Sequence, residues 1–279
     1  MLEAQNIHAR IGKKEILHGI DFTAKAGQIT AIVGPNGSGK STLLKAITDE
    51  VDFTGTVRLN DQDTAGMKPW ELAALRGVLP QATTLAFPFT VIEVVRMGLM
   101  SGLSGGREDI PARALAAVGL EGYSGRFYQE LSGGEQQRTQ LARVMCQVWQ
   151  PVIDDAPRWL LLDEPVASLD IGHQLLVMHL MKGYAARGGG VVAVMHDLNL
   201  SAMFAEHIAM IVNGDILASG PPDAVINDSV LSLAYGCDLK VNTPPVSGQN
   251  YVLPHLVDDA LYLKPERTKI PFAIFSEGE

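Results

Sequence analysis

Cysteine is scarce. Cys146 and Cys237 are the two in 279 residues; they form no metal-ligand spacing and read as small apolar residues buried in a reducing compartment. The seven histidines contain no HxH or HxxxH pair, so no metal site of that kind is expected. No apolar run reaches the roughly 18 residues of a membrane-spanning helix. Residues 1–12 lack the basic and apolar segments of a signal peptide, and none is expected. Sustained heptads are missing, which excludes a long coiled coil. Low-complexity sequence is confined to Gly188-Gly189-Gly190, a predicted turn. Excess positive charge is missing too: the net charge of −9 argues against non-specific nucleic-acid binding. Hydrophobic residues make up 47% of the chain, ample for the core of one or two domains.

What is present begins at residues 34–41, Gly-Pro-Asn-Gly-Ser-Gly-Lys-Ser, a phosphate-binding loop of the form GxxxxGK[ST]. Before it, 29–33 is a short β-branched run bounded by Gly27 and Gly34, read as a buried strand. After it, 41–47 reads as a helix. Strand, glycine loop and helix are the context in which the motif is meaningful. Gly34, Gly37 and Gly39 let the backbone turn its N–H groups inward at a helix N-terminus, where the dipole also favours an anion. The predicted cradle comprises Gly34, Pro35, Asn36, Gly37, Ser38, Gly39, Lys40, Ser41 and Thr42. Lys40 is expected to reach the β- and γ-phosphates of a nucleotide, and Ser41 to ligate Mg²⁺.

Residues 159–165 read Trp-Leu-Leu-Leu-Asp-Glu-Pro. The unbroken apolar run predicts a central parallel strand, and acidic residues at its carboxyl end fall where open α/β sheets place ligands. Asp163 is expected to hold Mg²⁺, and Glu164 to polarise a water attacking the γ-phosphate. A lone His196 after Val191-Val192-Ala193-Val194-Met195 is in isolation a core histidine, and a lone Gln81 is solvated surface.

Residues 131–138, Leu-Ser-Gly-Gly-Glu-Gln-Gln-Arg, change those readings. Ser132 is a plausible helix N-cap, and the two glycines let backbone approach phosphate. With this string, Gln81 in Val-Leu-Pro-Gln, Ser168-Leu169-Asp170 and His196 in Val-Met-His-Asp, the chain resembles the nucleotide-binding subunits of ABC transporters from about residue 2 to about residue 240. The resemblance implies ATP and Mg²⁺ as cofactors, with Glu164, His196 and Gln81 catalytic and Ser41, Gln81 and Asp163 around the metal. It implies that Ser132, Gly133 and Gly134 dock on ATP held by a second copy, in a head-to-tail homodimer, and that Asp170, in the D-loop, is among the nucleotide-binding residues. Many members stack an aromatic residue on adenine where this chain has Arg10-Ile11; Ile11 could pack on the base and Arg10 could stack on it. Val166 replaces the common Thr or Ser. A second Leu-Ser-Gly-Gly at 103–106 lacks the Glu-Gln-Gln-Arg continuation and reads as a polar loop.

The expected fold is α/β, a P-loop NTPase (RecA-like) core with a flanking antiparallel β subdomain and an inserted helical subdomain. The core is assigned to 1–81 and 151–240, the helical part to 82–150 and a strand-poor tail to 241–279. That tail is too short for an added regulatory domain, which needs at least about 50 residues. A P-loop kinase has no use for residues 131–138. The leading function is the ATPase subunit of an importer, peripheral on the cytoplasmic face of a bacterial inner membrane, serving an integral-membrane permease dimer. A soluble ATPase of iron–sulfur assembly type is the alternative from another class. Residues 77–91 (GVLPQATTLAFPFTV), Arg10-Ile11-Gly12 and 163–174 (DEPVASLDIGHQ) resemble haem-importer ATPases. That likeness implies haem as cargo and, indirectly, a periplasmic or surface haem-binding protein as partner. Ferric-siderophore and vitamin B12 importers stay open alternatives.

Overall fold

The computed structural model describes residues 1–83, 85–101, 107–245, 248 and 250–252. The 103–106 tetrapeptide and most of the predicted tail lie outside the described residues. The chain runs through the hairpin β1 (Leu2–Ile11) and β2 (Lys14–Ala24), then β3 (Ile29–Val33), α1 (Lys40–Ile47), β4 (Phe53–Leu59) and the short β5 (Gln62–Asp63). Helix α2 (Pro69–Leu75) leads into β6 (Arg76–Leu79), followed by α3 (Val91–Ser101), α4 (Ile110–Ala117) and α5 (Gly133–Gln147). A small hairpin, β7 (Val152–Ile153) and β8 (Ala156–Pro157), precedes β9 (Trp159–Asp163), α6 (Ile171–Ala186), β10 (Gly190–Val194) and α7 (Leu198–Phe204). Strands β11 (His207–Val212) and β12 (Asp215–Gly220) and helices α8 (Pro222–Val225) and α9 (Asp228–Tyr235) complete the described order.

The central sheet has the order β12-β11-β3-β10-β9-β6, parallel except for β12. Every residue of β3, β9 and β10 is buried, as their continuous apolar runs require of strands covered on both faces. Side chains alternate between two cores. Val191 and Ala193 face the helices, whereas Val192 and Val194 face α1 and a second, antiparallel sheet of order β2-β1-β4-β5. That second sheet contributes Leu2, Ile7, Leu17, Phe22, Val57 and Leu59. The P-loop NTPase architecture and the flanking antiparallel sheet are therefore as expected.

Helices α3 to α5 lie in the chain between β6 and β9, which are neighbours in the sheet. Their closest approach depends on Gly98: a Cβ there would stand 2.0 Å from the Arg143 carbonyl oxygen, so α3 can cross α5 only with glycine at that point. Gly77 does the same where β6 passes Val144. One reading is corrected. Cys146 is buried on α5, but Cys237 is exposed. It follows Gly236, whose left-handed backbone ends α9.

Candidate functional site

The parallel topology brings four loops to one edge. The phosphate loop follows β3, Gln81 follows β6, Asp163 and Glu164 end β9, and His196 follows β10. Their cleft measures about 680 Å³ and is lined by Asn36, Gly37, Gly39, Lys40, Ser41, Thr42, Gln81, Glu164 and His196.

The phosphate loop has the geometry its glycines permit. Gly39 is left-handed at φ 108 and serves as the N-cap of α1, leaving that helix start without a side-chain cap and its amides free for an anion. Gly34 has φ 143, and a Cβ there would lie 2.0 Å from the Ile211 carbonyl oxygen. Lys40 is buried with its Nζ donating to the Gly34 and Pro35 carbonyl oxygens, each at 2.9 Å. Burial lowers its pKa, while Glu164 and Asp163 oppose that shift. A buried ammonium held by neutral carbonyls, beside a buried Ser38 hydroxyl without a partner, suits the arrival of a polyanion. The far end of α1 is fastened by Arg76, which donates to the Ile47 carbonyl at 2.8 Å and the Thr48 carbonyl at 2.7 Å. Sequence reasoning missed this residue; the signal was a single arginine opening an otherwise apolar strand.

Ser41 donates from Oγ to Asp163 Oδ1 at 2.9 Å. Asp163 is only 2% exposed, and its burial raises the pKa against the Ser41 bond. Among the described residues no group of three His, Cys, Asp or Glu makes a metal centre by itself. A hydroxyl and a desolvated carboxylate side by side nevertheless fit Mg²⁺, which uses few protein oxygens and completes its shell with phosphate and water.

Glu164 has a left-handed backbone, φ 53. Its Oε1 accepts from Gln81 Nε2 at 3.1 Å and lies 2.6 Å from His196 Nε2, which must carry the proton to donate. The three side chains expected to act on the γ-phosphate thus engage one another. Gln137 of α5, another residue missed from sequence, donates to the Glu164 carbonyl at 2.6 Å. It sits inside the 131–138 string, where nothing in the sequence distinguishes its role from that of its glutamine neighbours.

Other expected site residues lie apart from this cleft. Ser132 caps α5: its Oγ donates to Glu135 Oε2 at 2.8 Å, and the Glu135 amide returns a bond at 3.4 Å. Gly133 is exposed, with nothing within 4 Å of a Cβ placed there, and Gly134 packs on the Ser168 carbonyl. Asp170 caps α6, accepting from the His173 amide at 2.9 Å, with His173 Nδ1 at 2.8 Å. Arg10 is exposed and 3.7 Å from Glu15, and Ile11 is 58% exposed. No Phe, Tyr or Trp is among the described residues lining the cleft.

The sequence profile of the ABC transporter family matches residues 17–167. The chain belongs to this family. Two similar relatives are hemin import ATP-binding proteins named HmuV. The one from Roseobacter denitrificans is 62% identical over 254 residues, spanning 91% of this chain and 97% of its own. The one from Jannaschia sp. is 60% identical over 256 residues, spanning 92% and 95%. Among solved structures, the dimeric post-hydrolysis state of the ATP-binding cassette MJ0796, bound to ADP and Pi, superposes with a TM-score of 0.69. It is 28% identical, over 80% of this chain and 99% of that one. As an ABC ATP-binding subunit, the chain binds and hydrolyses ATP.

Proposed function

We infer that this chain is the ATP-hydrolysing subunit of a haem importer and works as a head-to-tail homodimer beneath a separate membrane permease. The haem assignment is carried by the 62% identity to a hemin import ATP-binding protein across nine-tenths of both sequences. Among the described residues no helix is long and apolar enough to cross a membrane, in keeping with a subunit docked on a permease at the cytoplasmic face. A periplasmic or surface haem-binding protein would deliver the cargo.

The chemistry rests on the convergence of Gln81, Glu164 and His196 opposite the phosphate loop. The triphosphate is held by the inward amides of residues 34–41 and by Lys40, whose carbonyl partners yield to phosphate oxygens of greater charge. Ser41, Asp163 and Gln81 would hold Mg²⁺, which supplies neutralisation of charge building between the β- and γ-phosphates. Glu164 orients the attacking water and takes its proton, once the γ-phosphate draws His196 and Gln81 away from the carboxylate. Ser132, Gly133, Gly134 and Asp170 complete the nucleotide site of the other copy. Because ATP is gripped by both copies and ADP lacks the γ-phosphate, ATP favours the closed dimer by its differential affinity. Phe87 is 68% exposed between Leu85 and Phe89, which pack on the core. It offers an apolar contact for the permease beside the Gln81 segment that closure moves.

The test is reconstitution of the protein with its cognate permease and binding protein in liposomes. Haem should stimulate ATP hydrolysis and be taken up. Uptake of a ferric siderophore or cobalamin, and none of haem, overturns the cargo and leaves the importer reading standing.

A further inference from the structure

Gln137 has no part in the chemistry above, yet both ends of its amide are committed. Nε2 donates to the Glu164 carbonyl at 2.6 Å, and Oε1 accepts from the Ser168 amide at 3.3 Å. The two partners are of opposite kind, so only an amide in this orientation satisfies both. Gln137 therefore ties α5 to the two ends of the turn that carries the catalytic carboxylate.

That turn needs tying. Glu164 has a side chain in a left-handed conformation, which persists only where the surroundings fix it. Its amide donates to the Val194 carbonyl at 3.2 Å, and its carbonyl also accepts from the Ala167 amide at 3.3 Å. The bond from Gln137 is shorter than either. A cavity of about 340 Å³ opens on this side of the turn, lined in part by Gln81, Gln136, Gln137, Gln140, Glu164 and Ser168. Gly134, one turn before Gln137 on the same face of α5, rests against the turn at a second point. A Cβ at Gly134 would stand 3.0 Å from the Ser168 carbonyl oxygen and 3.2 Å from Leu169 Cδ2. Any tilt of the α5 N-terminus is passed to Glu164 through these two contacts.

We propose that Gln137 is a positioning residue for Glu164, through which the seating of α5 on the other copy's nucleotide sets the carboxylate acting on this copy's own. The inference rests on the proposed roles of Glu164 and of residues 132–134. It makes the two nucleotide sites of the dimer depend on each other through one side chain in each copy.

Two substitutions separate the bonds. Gln137→Met keeps the length and removes both. Gln137→Glu keeps an acceptor for Ser168, removes the donor to Glu164 and adds a negative charge near it. Turnover, KM, ATP affinity of the monomer, melting temperature and ATP-driven dimerisation in a Glu164→Gln background are measured on the full chain. Gln137→Met should lower kcat by about 10–100-fold, the scale of a misplaced catalytic group. KM, monomer affinity and dimerisation should stay within twofold, and the melting temperature should be close to wild type. Gln137→Glu should lose a similar factor in kcat, again with KM and monomer affinity within twofold. If Gln137→Met does not fold, Gln137→Glu carries the test. Wild-type kcat in the folded variants, or a loss of kcat matched by loss of monomer ATP affinity or of dimerisation, overturns the proposal. Glu164→Gln alone distinguishes the two levels: if it retains turnover, the catalytic reading falls and this one with it. If it stops turnover while the Gln137 variants do not, only the present inference falls.

Discussion

The phosphate cleft and the α5 N-terminus are both proposed to meet phosphate, yet they differ in how much of their work one chain can do. In the cleft, nine residues from four loops face a common volume, and Gln81, Glu164 and His196 already touch. At the α5 N-terminus, Ser132 is turned to its own Glu135, and Asp170 is likewise occupied in capping α6. The cleft is assembled by the sheet, whose parallel strands end at one edge whatever lies outside. The α5 N-terminus is an exposed helix start, made stable by its own local capping. A site satisfied by its own neighbours gives little sign within one chain of what it binds.

The sharpest break in that comparison is Glu164→Gln. It keeps the shape and one hydrogen-bond acceptor but cannot take a proton from water. Turnover should fall by ~10²–10⁴, while ATP binding persists and ATP-bound dimer accumulates by size-exclusion chromatography. Turnover near wild type would remove Glu164 from the chemistry.

Next in size is Ser132→Arg, which places a bulky cation at the surface that must close. Hydrolysis should drop by roughly tenfold or more, and ATP affinity of the monomer should not change. Mixed with Lys40→Ala, it should regain at most one working site per heterodimer. Weakened ATP binding to the monomer would erase the distinction between the two regions.

The cleft's internal support is tested by Arg76→Met, which leaves the Ile47 and Thr48 carbonyls at the end of α1 without their charged donor. A loss of about 2–3 kcal/mol in urea unfolding is expected. A change under about 0.5 kcal/mol, the ordinary surface effect, would mean that the helix end is satisfied otherwise.

The smallest effect is one of sign. Burial raises the Asp163 pKa, so the native state holds that proton to higher pH than the unfolded chain does. The wild type therefore loses stability from this group as pH rises out of the ordinary carboxylate range, about 4, and Asp163→Asn does not. The nucleotide-free variant should be more stable at pH 7, and the gain should vanish on acidification. Thermal melts across pH check this; a destabilised variant at pH 7 would show that the charge already has a compensating partner.

Much of this protein was legible in the residues because its chemistry is concentrated in short, contiguous strings. Residues 29–47 specify strand, anion loop and helix by local rules alone, and 159–164 specify a buried strand with carboxylates at its end. The antiparallel sheet and the helices between β6 and β9 were expected from the family resemblance rather than from any one local string. What sequence could not supply were contacts between distant segments. Gln137 meets Glu164 across 27 positions and Arg76 meets Ile47 across 29, and neither carries a local signature. Cys237 failed for a related reason: burial depends on where the fold places a residue, here just past the end of α9, not on the residue type. Residue types alone point to the groups proposed to hold phosphate, metal and water, since a glycine loop, a lysine and strand-end carboxylates have few other joint uses. Which of them meet within one chain is settled by the fold. Parallel strands carry some loops to a shared edge, while a helix start outside that edge stays solvated until another molecule covers it.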